Sequence, residues 1–212
     1  FVPSTAINQL EMWQAATFDA PPIARELGWA ADLGFNTMRV YLHDLLWEQD
    51  ASGFLGRMDE VLDIADKVGI RIIPVLFDDV WNPEPKLGPQ PDPYPGRHNS
   101  GWVQGPGLGV LNAYPDDPAI SHRLAAYVAG VMERFADDSR VLMWDVYNEP
   151  GGYPSPGAEP VGEVCLPLLK DVFDWARAAA PSQPLTSGLW WNPLAPLPPS
   201  IGELQLAGSD IV

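Results

Sequence analysis

Cysteine is nearly absent. Cys165 is the one cysteine in 212 residues, which excludes an internal disulfide framework and a cysteine-based metal site. Basic residues are scarce: 12 lysines and arginines face 28 acids, a net charge of −16. That balance argues against nucleic acid and against anionic membrane surfaces, both of which need a basic patch. It fits a neutral substrate. There are no paired histidines and no calcium-loop pattern, so neither a metal nor another cofactor is expected. No apolar run approaches the roughly 18 residues of a membrane span. The chain is instead rich in apolar residues (46%), with 19 glycines and 24 prolines. This much apolar material builds a core and excludes disorder despite the charge. Glycine and proline fall mostly between apolar segments and without period, as they do in loops.

Short β-prone runs alternate with longer helical patterns. Strands are expected over residues 5–10, 37–42, 70–77, 141–147 and 184–190. Helices are expected over residues 22–33, 54–68, 119–136 and 161–180, with Asp19 as the first N-cap and Gly34 and Gly69 as stops. Residues 78–118 form a long irregular stretch holding Trp81, Tyr94, His98 and Trp102, of a length that usually serves function. Repeated β-then-α units predict a parallel sheet. A doubly wound open sheet would carry a glycine-rich phosphate loop after its first strand, and none is present. Gly105-Pro-Gly-Leu-Gly109 follows no strand. The expected fold class is therefore α/β, a (β/α)8 TIM barrel. Such a barrel takes roughly 250 residues, and Ile211 and Val212 read as the opening of a sixth strand. Residues 1–212 are accordingly read as one catalytic domain truncated within or before the sixth strand.

Barrel chemistry sits where strands end. The expected strand ends offer Asn8, Glu11 and Trp13; Arg39, Tyr41, His43 and Asp44; Asp78, Asp79 and Trp81; Asn148 and Glu149; and Trp190, Trp191 and Asn192. Such a set suits sugars: aromatic faces stack on pyranose C–H faces, while amides and carboxylates bond the hydroxyls. The sharpest segment is Val141-Leu-Met-Trp-Asp-Val-Tyr-Asn-Glu-Pro150. Alternation puts Met143, Asp145, Tyr147 and Glu149 on one side, and Pro150 stops the strand. Glu149 then stands at an apolar rim, where burial and a neighbouring carboxylate raise the pKa of a general acid. Taken alone, the three residues fit a solvated turn equally well.

Asn148-Glu149-Pro150 after a hydrophobic fourth strand resembles the acid/base motif of the clan A glycoside hydrolases, the retaining superfamily that includes family 5 cellulases and mannanases. Phe35-Asn-Thr-Met-Arg-Val-Tyr41 is similar to that clan's second strand, Ile70-Arg-Ile-Ile-Pro-Val-Leu76 to its third, and Thr186-Ser-Gly-Leu-Trp-Trp-Asn192 to its fifth. Ser4-Thr-Ala-Ile-Asn-Gln-Leu-Glu-Met-Trp13 is similar to bacterial members labelled cellulase-like or 1,4-β-xylanase-like. The resemblance implies hydrolysis of O-glycosidic bonds in a β-linked oligo- or polysaccharide by retaining double displacement. It implies Glu149 as acid/base, Asn148 on the sugar 2-hydroxyl and Arg39 supporting the nucleophile, a buried ion pair of Arg39 with Asp145 being the structural alternative. The nucleophile is a glutamate at the end of the seventh strand, so it is expected to be missing from these residues and the fragment to be inactive.

His43, Asn8, Glu11, Asp78, Trp81, Trp102 and Trp190 complete the expected substrate-binding set. Family 5 usually has a histidine near the end of the third strand, where Phe77-Asp78-Asp79 stands here. Two alternatives stay open: a non-catalytic carbohydrate-binding or degenerate barrel, and an inverting enzyme with Asp78 or Asp79 as base. Trp29 and Trp175 are expected to pack between elements, Trp144 to face the helices and Cys165 to be buried. The sugar, the linkage and the compartment (secreted, periplasmic or cytoplasmic) are not fixed by the sequence.

Overall fold

The computed structural model describes residues 1–153, 158–190 and 196–212. Trp191 and Asn192, named above at a strand end, lie outside the described residues. The element order is α1 (Gln9–Trp13), α2 (Ala20–Asp32), β1 (Thr37–Tyr41), α3 (Asp44–Lys67), β2 (Arg71–Val75), α4 (Leu108–Ala113), α5 (Pro118–Arg134), β3 (Trp144–Asn148), α6 (Leu166–Ala178), β4 (Leu185–Gly188) and α7 (Pro199–Gly208). The strands form one parallel sheet in the order β1-β2-β3-β4. Neighbours in space are neighbours in sequence, joined through helices, as in successive units of a (β/α) barrel. All four strands therefore end on the same side.

Local chemistry explains most boundaries. Gly34 and Gly69 adopt φ of 91° and 75°, a left-handed conformation that stops the helices before β1 and β2 at no steric cost. Asp50 breaks α3 with φ −162°. Its carboxylate accepts from the Gly53 amide at 2.9 Å, so it acts as an internal N-cap. The helix expected from residue 54 thus gains a preceding turn, capped by His43. Ile72 in β2 and Leu76 just after it donate their amides toward the β3 side. Alternation turns the nitrogen of Pro74 the same way, and proline has no hydrogen to give. The β2–β3 ladder is correspondingly thin, with Val75↔Asp145 as its in-strand pair.

The core fills the space between sheet and helices. It includes Ile23 and Leu27 from α2, Phe54, Met58 and Leu62 from α3, Leu124, Tyr127 and Val131 from α5, and Leu168, Val172 and Phe173 from α6. Trp144 is fully buried among them, with its indole N–H on Gln183, and Cys165 is buried as expected. Trp29 is a correction: it is 58% exposed, with Arg25 over its ring. No described helix is long and apolar enough to cross a membrane.

Two expected strands are absent. Residues 5–10 give no strand; the chain enters α1 instead. The Asn8 side chain accepts from the Leu10 and Glu11 amides, and the Glu11 carboxylate accepts from the Ile7 amide at 2.6 Å. This is a variant of the reciprocal capping box, whose Asn-x-x-Glu spacing is visible in the sequence. The sixth strand expected at Ile211 is not formed. The chain makes α7, and its last residues then run beside β4, where the Asp210 amide donates to the Leu185 carbonyl at 2.8 Å.

Candidate active site

Beyond the strand ends stands one connected polar network. Arg39 on β1 pairs with Asp145 on β3 and donates to Asn148 Oδ1 at 2.9 Å. Asn148 Nδ2 donates to Asp78 Oδ1 at 2.9 Å. Asp145 and Asn148 both reach Arg39 because the β3–β4 register shifts between them. Such a bulge shifts the alternation by one residue. This corrects the expectation that Tyr147 shares a side with Asp145. Tyr147 turns instead toward Phe77 and donates its hydroxyl to Asp79 Oδ1 at 2.6 Å.

Glu149 follows at the rim. It is half-buried and takes a positive φ of 47°, a strained conformation for a non-glycine residue that collects at functional sites. Its amide donates to the Gly188 carbonyl at 2.8 Å, and its own carbonyl accepts from the Gly152 amide. Burial pushes the Glu149 carboxyl up; Arg39 opposes that and Asp145 adds to it, and the net shift is upward. Gly188 is required by close approach. A Cβ there would stand 2.8 Å from Asn148 Oδ1 and 3.3 Å from Arg39 Nη2. A glycine inside a strand is the sequence signal for such an approach.

Asp78 and Asp79 are both buried. Asp79 also accepts from the Gly151 amide at 2.7 Å, and burial raises its carboxyl to about 7 despite both hydrogen bonds. Burial raises Asp78 well above the usual carboxylate range, opposed by its hydrogen bonds to Asn148 and Val80 and helped by Asp79 and Glu149. The backbone at Asp78 pairs with Gly105, and Asn82 pairs with Val103. These bridges tie the irregular stretch back to the strand end. They bring Trp81 and Trp102 together, with centroids 6.3 Å apart, and Trp102 stands edge-on to Tyr41 at 5.0 Å. Trp81 takes φ 83° and packs on His98. Trp190 lies against Tyr153 at 5.6 Å.

The remaining sequence-named residues are built into the scaffold. Asn8 is fully buried, and its Nδ2 donates to Gln90 and to the Gly101 carbonyl, each at 2.8 Å. Glu11 caps α1 as described. His43 is fully buried, with Nε2 on the Gln104 carbonyl at 2.8 Å and the Leu45 amide on Nδ1. The structure does not bring these three into the Arg39–Asn148–Asp78 network. Trp13 is buried with its indole N–H on the Tyr41 carbonyl, and Trp47 packs on Tyr127. Among the described residues, no group of three or more His, Cys, Asp or Glu could hold a metal ion.

No family model matches the chain, and no curated protein matches it in sequence. Solved structures match it in fold. The β-mannanase of the blue mussel Mytilus edulis aligns with a TM-score of 0.61 at 14% identity, over 89% of this chain and 58% of its own. GH5_18 from Streptomyces cattleya, in complex with GlcNAc, aligns with a TM-score of 0.60 at 19% identity, over 89% and 43%. An exo-β-1,4-mannosidase from Opitutaceae bacterium strain TAV5 gives 0.56 at 24% identity, over 89% and 31%. The chain thus spans less than two thirds of each of these proteins. Its fold, a four-stranded parallel sheet with helical crossovers, is similar to part of the barrel of these structures.

Proposed function

We propose that the chain carries the acid/base half of a retaining glycoside hydrolase that cleaves β-linked oligo- or polysaccharides. The observation that carries this reading is the Arg39–Asn148–Asp78 network placed directly beside a half-buried, conformationally strained Glu149 at the strand ends. In this reading Glu149 protonates the departing glycosidic oxygen and then takes a proton from the attacking water. Asn148 bonds the sugar 2-hydroxyl, an interaction that strengthens in the transition state. Arg39 supplies positive charge beside the nucleophile, a second carboxylate contributed by the whole protein. Trp81, Trp102 and Trp190 offer faces for sugar rings. The substrate class follows the neighbours described as β-mannanases, so β-1,4-mannan is the first polymer to assay.

An inverting mechanism would need Asp78 or Asp79 to activate water. Both are buried; Asp78 Oδ1 is engaged by Asn148 and Val80 and both Asp79 oxygens by Tyr147 and Gly151, so neither carboxylate has a solvent-open face for that water. Proton NMR of the first product formed by the full-length protein separates the mechanisms. The β-anomer is expected first, with the α-anomer growing only by mutarotation. An α-anomer as the initial product would overturn the retaining reading.

A further inference from the structure

We infer that Asp78 is a positioning residue that fixes the Asn148 side-chain amide for the reaction, without touching the substrate itself. The inference rests on the proposed function for the role of Asn148. Asp78 is 3% exposed. Its Oδ1 accepts from Asn148 Nδ2 at 2.9 Å and from the Val80 amide at 3.2 Å. Its Oδ2 is buried with no partner among the described residues, so neither oxygen is presented to a bound sugar. The Asp78 backbone is held in turn by exchange with Gly105, at 2.6 and 3.0 Å.

The Asn148 amide is thereby gripped at both ends. A guanidinium only donates, so Oδ1 must face Arg39, and Nδ2 must face Asp78. One Nδ2 hydrogen is spent on Asp78 and the other is left for the sugar 2-hydroxyl. The terminal torsion of asparagine is soft and roughly two-fold. Without Asp78, one bond to Arg39 would remain, and the free hydrogen would lose its direction. The role asks for an acceptor rather than a charge. Oδ1 of a neutral carboxyl or of a carboxamide accepts equally, which suits a site where burial disfavours the carboxylate.

The test uses Asp78→Ala, Asp78→Asn and Asn148→Ala in the full-length protein, with two readouts. The first is kcat on 4-nitrophenyl β-D-mannoside and β-D-glucoside and on their shared 2-deoxy analogue. Asp78→Ala is expected to lose about 10–100-fold on the 2-hydroxy sugars and no more than about 3-fold on the 2-deoxy sugar, in parallel with Asn148→Ala. Asp78→Asn is expected to restore most of the loss. Equal losses on both kinds of sugar, or none on either, would overturn the inference. The second readout needs no turnover: the side-chain NH2 signals of 15N-labelled asparagine, assigned by their disappearance in Asn148→Ala. Slow exchange at Asn148 should persist in Asp78→Asn and vanish in Asp78→Ala; persistence in Asp78→Ala would also overturn it. Full activity of Asn148→Ala on the 2-hydroxy sugars would instead defeat the role assigned to Asn148. The NMR result would still decide whether Asp78 holds the amide.

Discussion

Replacing Glu149 by glutamine in the full-length protein is expected to lower kcat on an unactivated β-linked oligosaccharide by about 10²–10⁴-fold, the range for loss of general acid–base catalysis. Binding should change little, because the amide keeps the shape of the carboxyl and half of its hydrogen bonding. The loss should depend on the leaving group. A sugar alkoxide must be protonated as it departs, whereas a dinitrophenolate leaves unaided, so glycosylation of the enzyme from a dinitrophenyl glycoside should be nearly spared. The pH profile carries the sign. A general acid must be protonated, so kcat/KM of the parent on the unactivated substrate falls as pH rises through the Glu149 pKa. That pKa is raised by burial and by Asp145 against the opposing effect of Arg39. The alkaline limb therefore lies above the ordinary glutamate range, and it should vanish in Glu149→Gln. Normal turnover of the oligosaccharide by the variant would remove Glu149 from the mechanism.

The second large effect is expected at Arg39. Arg39→Met leaves the Asp145 carboxylate, 3% exposed, without its cation, and takes a donor from Asn148. Breaking a fully buried pair costs about 3–5 kcal/mol. The Arg39 side chain is 39% exposed, so water offsets part of this, and a loss of about 2–3 kcal/mol in chemical denaturation is expected. Activity should drop by at least about 10²-fold, as for removal of a preorganised charge in an active site. The double variant Arg39→Met/Asp145→Leu separates the two roles. Replacing both partners removes the stranded charge, so stability should largely return while activity stays low. Recovery of both together would mean that Arg39 is purely structural.

Much of this was legible in the sequence for identifiable reasons. The runs 37–42, 70–77, 141–147 and 184–190 hold β1 to β4, each a short run with a Gly or Pro within three residues of at least one end, although β3 starts only at Trp144 and β4 ends at Gly188. Asn148-Glu149-Pro150 alone fits a solvated turn equally well; it is singled out by its place after an apolar strand, in order with the similar strands around it. Other features were hidden. The bulge in β3 changes which residues share a face, and strict alternation cannot register an inserted residue. α7 carries Gly202 inside it and Gly208 at its end, and follows Pro193, Pro196 and Pro198, a composition that reads as loop. Asn8 and Glu11 look like ligands at a strand end until their three-residue spacing is taken as a helix start. His43 looks available in sequence, yet it caps α3 and bonds the Gln104 carbonyl, a partner 61 residues away. The contact of Asp78 with Asn148 spans 70 residues, and no local pattern encodes it.

The most direct measurement is azide rescue of Glu149→Ala in the full-length protein, with an activated aryl β-glycoside of a sugar that the parent cleaves. Such a substrate glycosylates the nucleophile without an acid. Water then attacks slowly for want of a base, but azide, already anionic, needs none. It displaces the enzyme carboxylate at the anomeric carbon. Faster turnover with azide and a β-glycosyl azide as product would fit Glu149 as the acid/base of a retaining enzyme. No azide product, or an α-glycosyl azide, would contradict it.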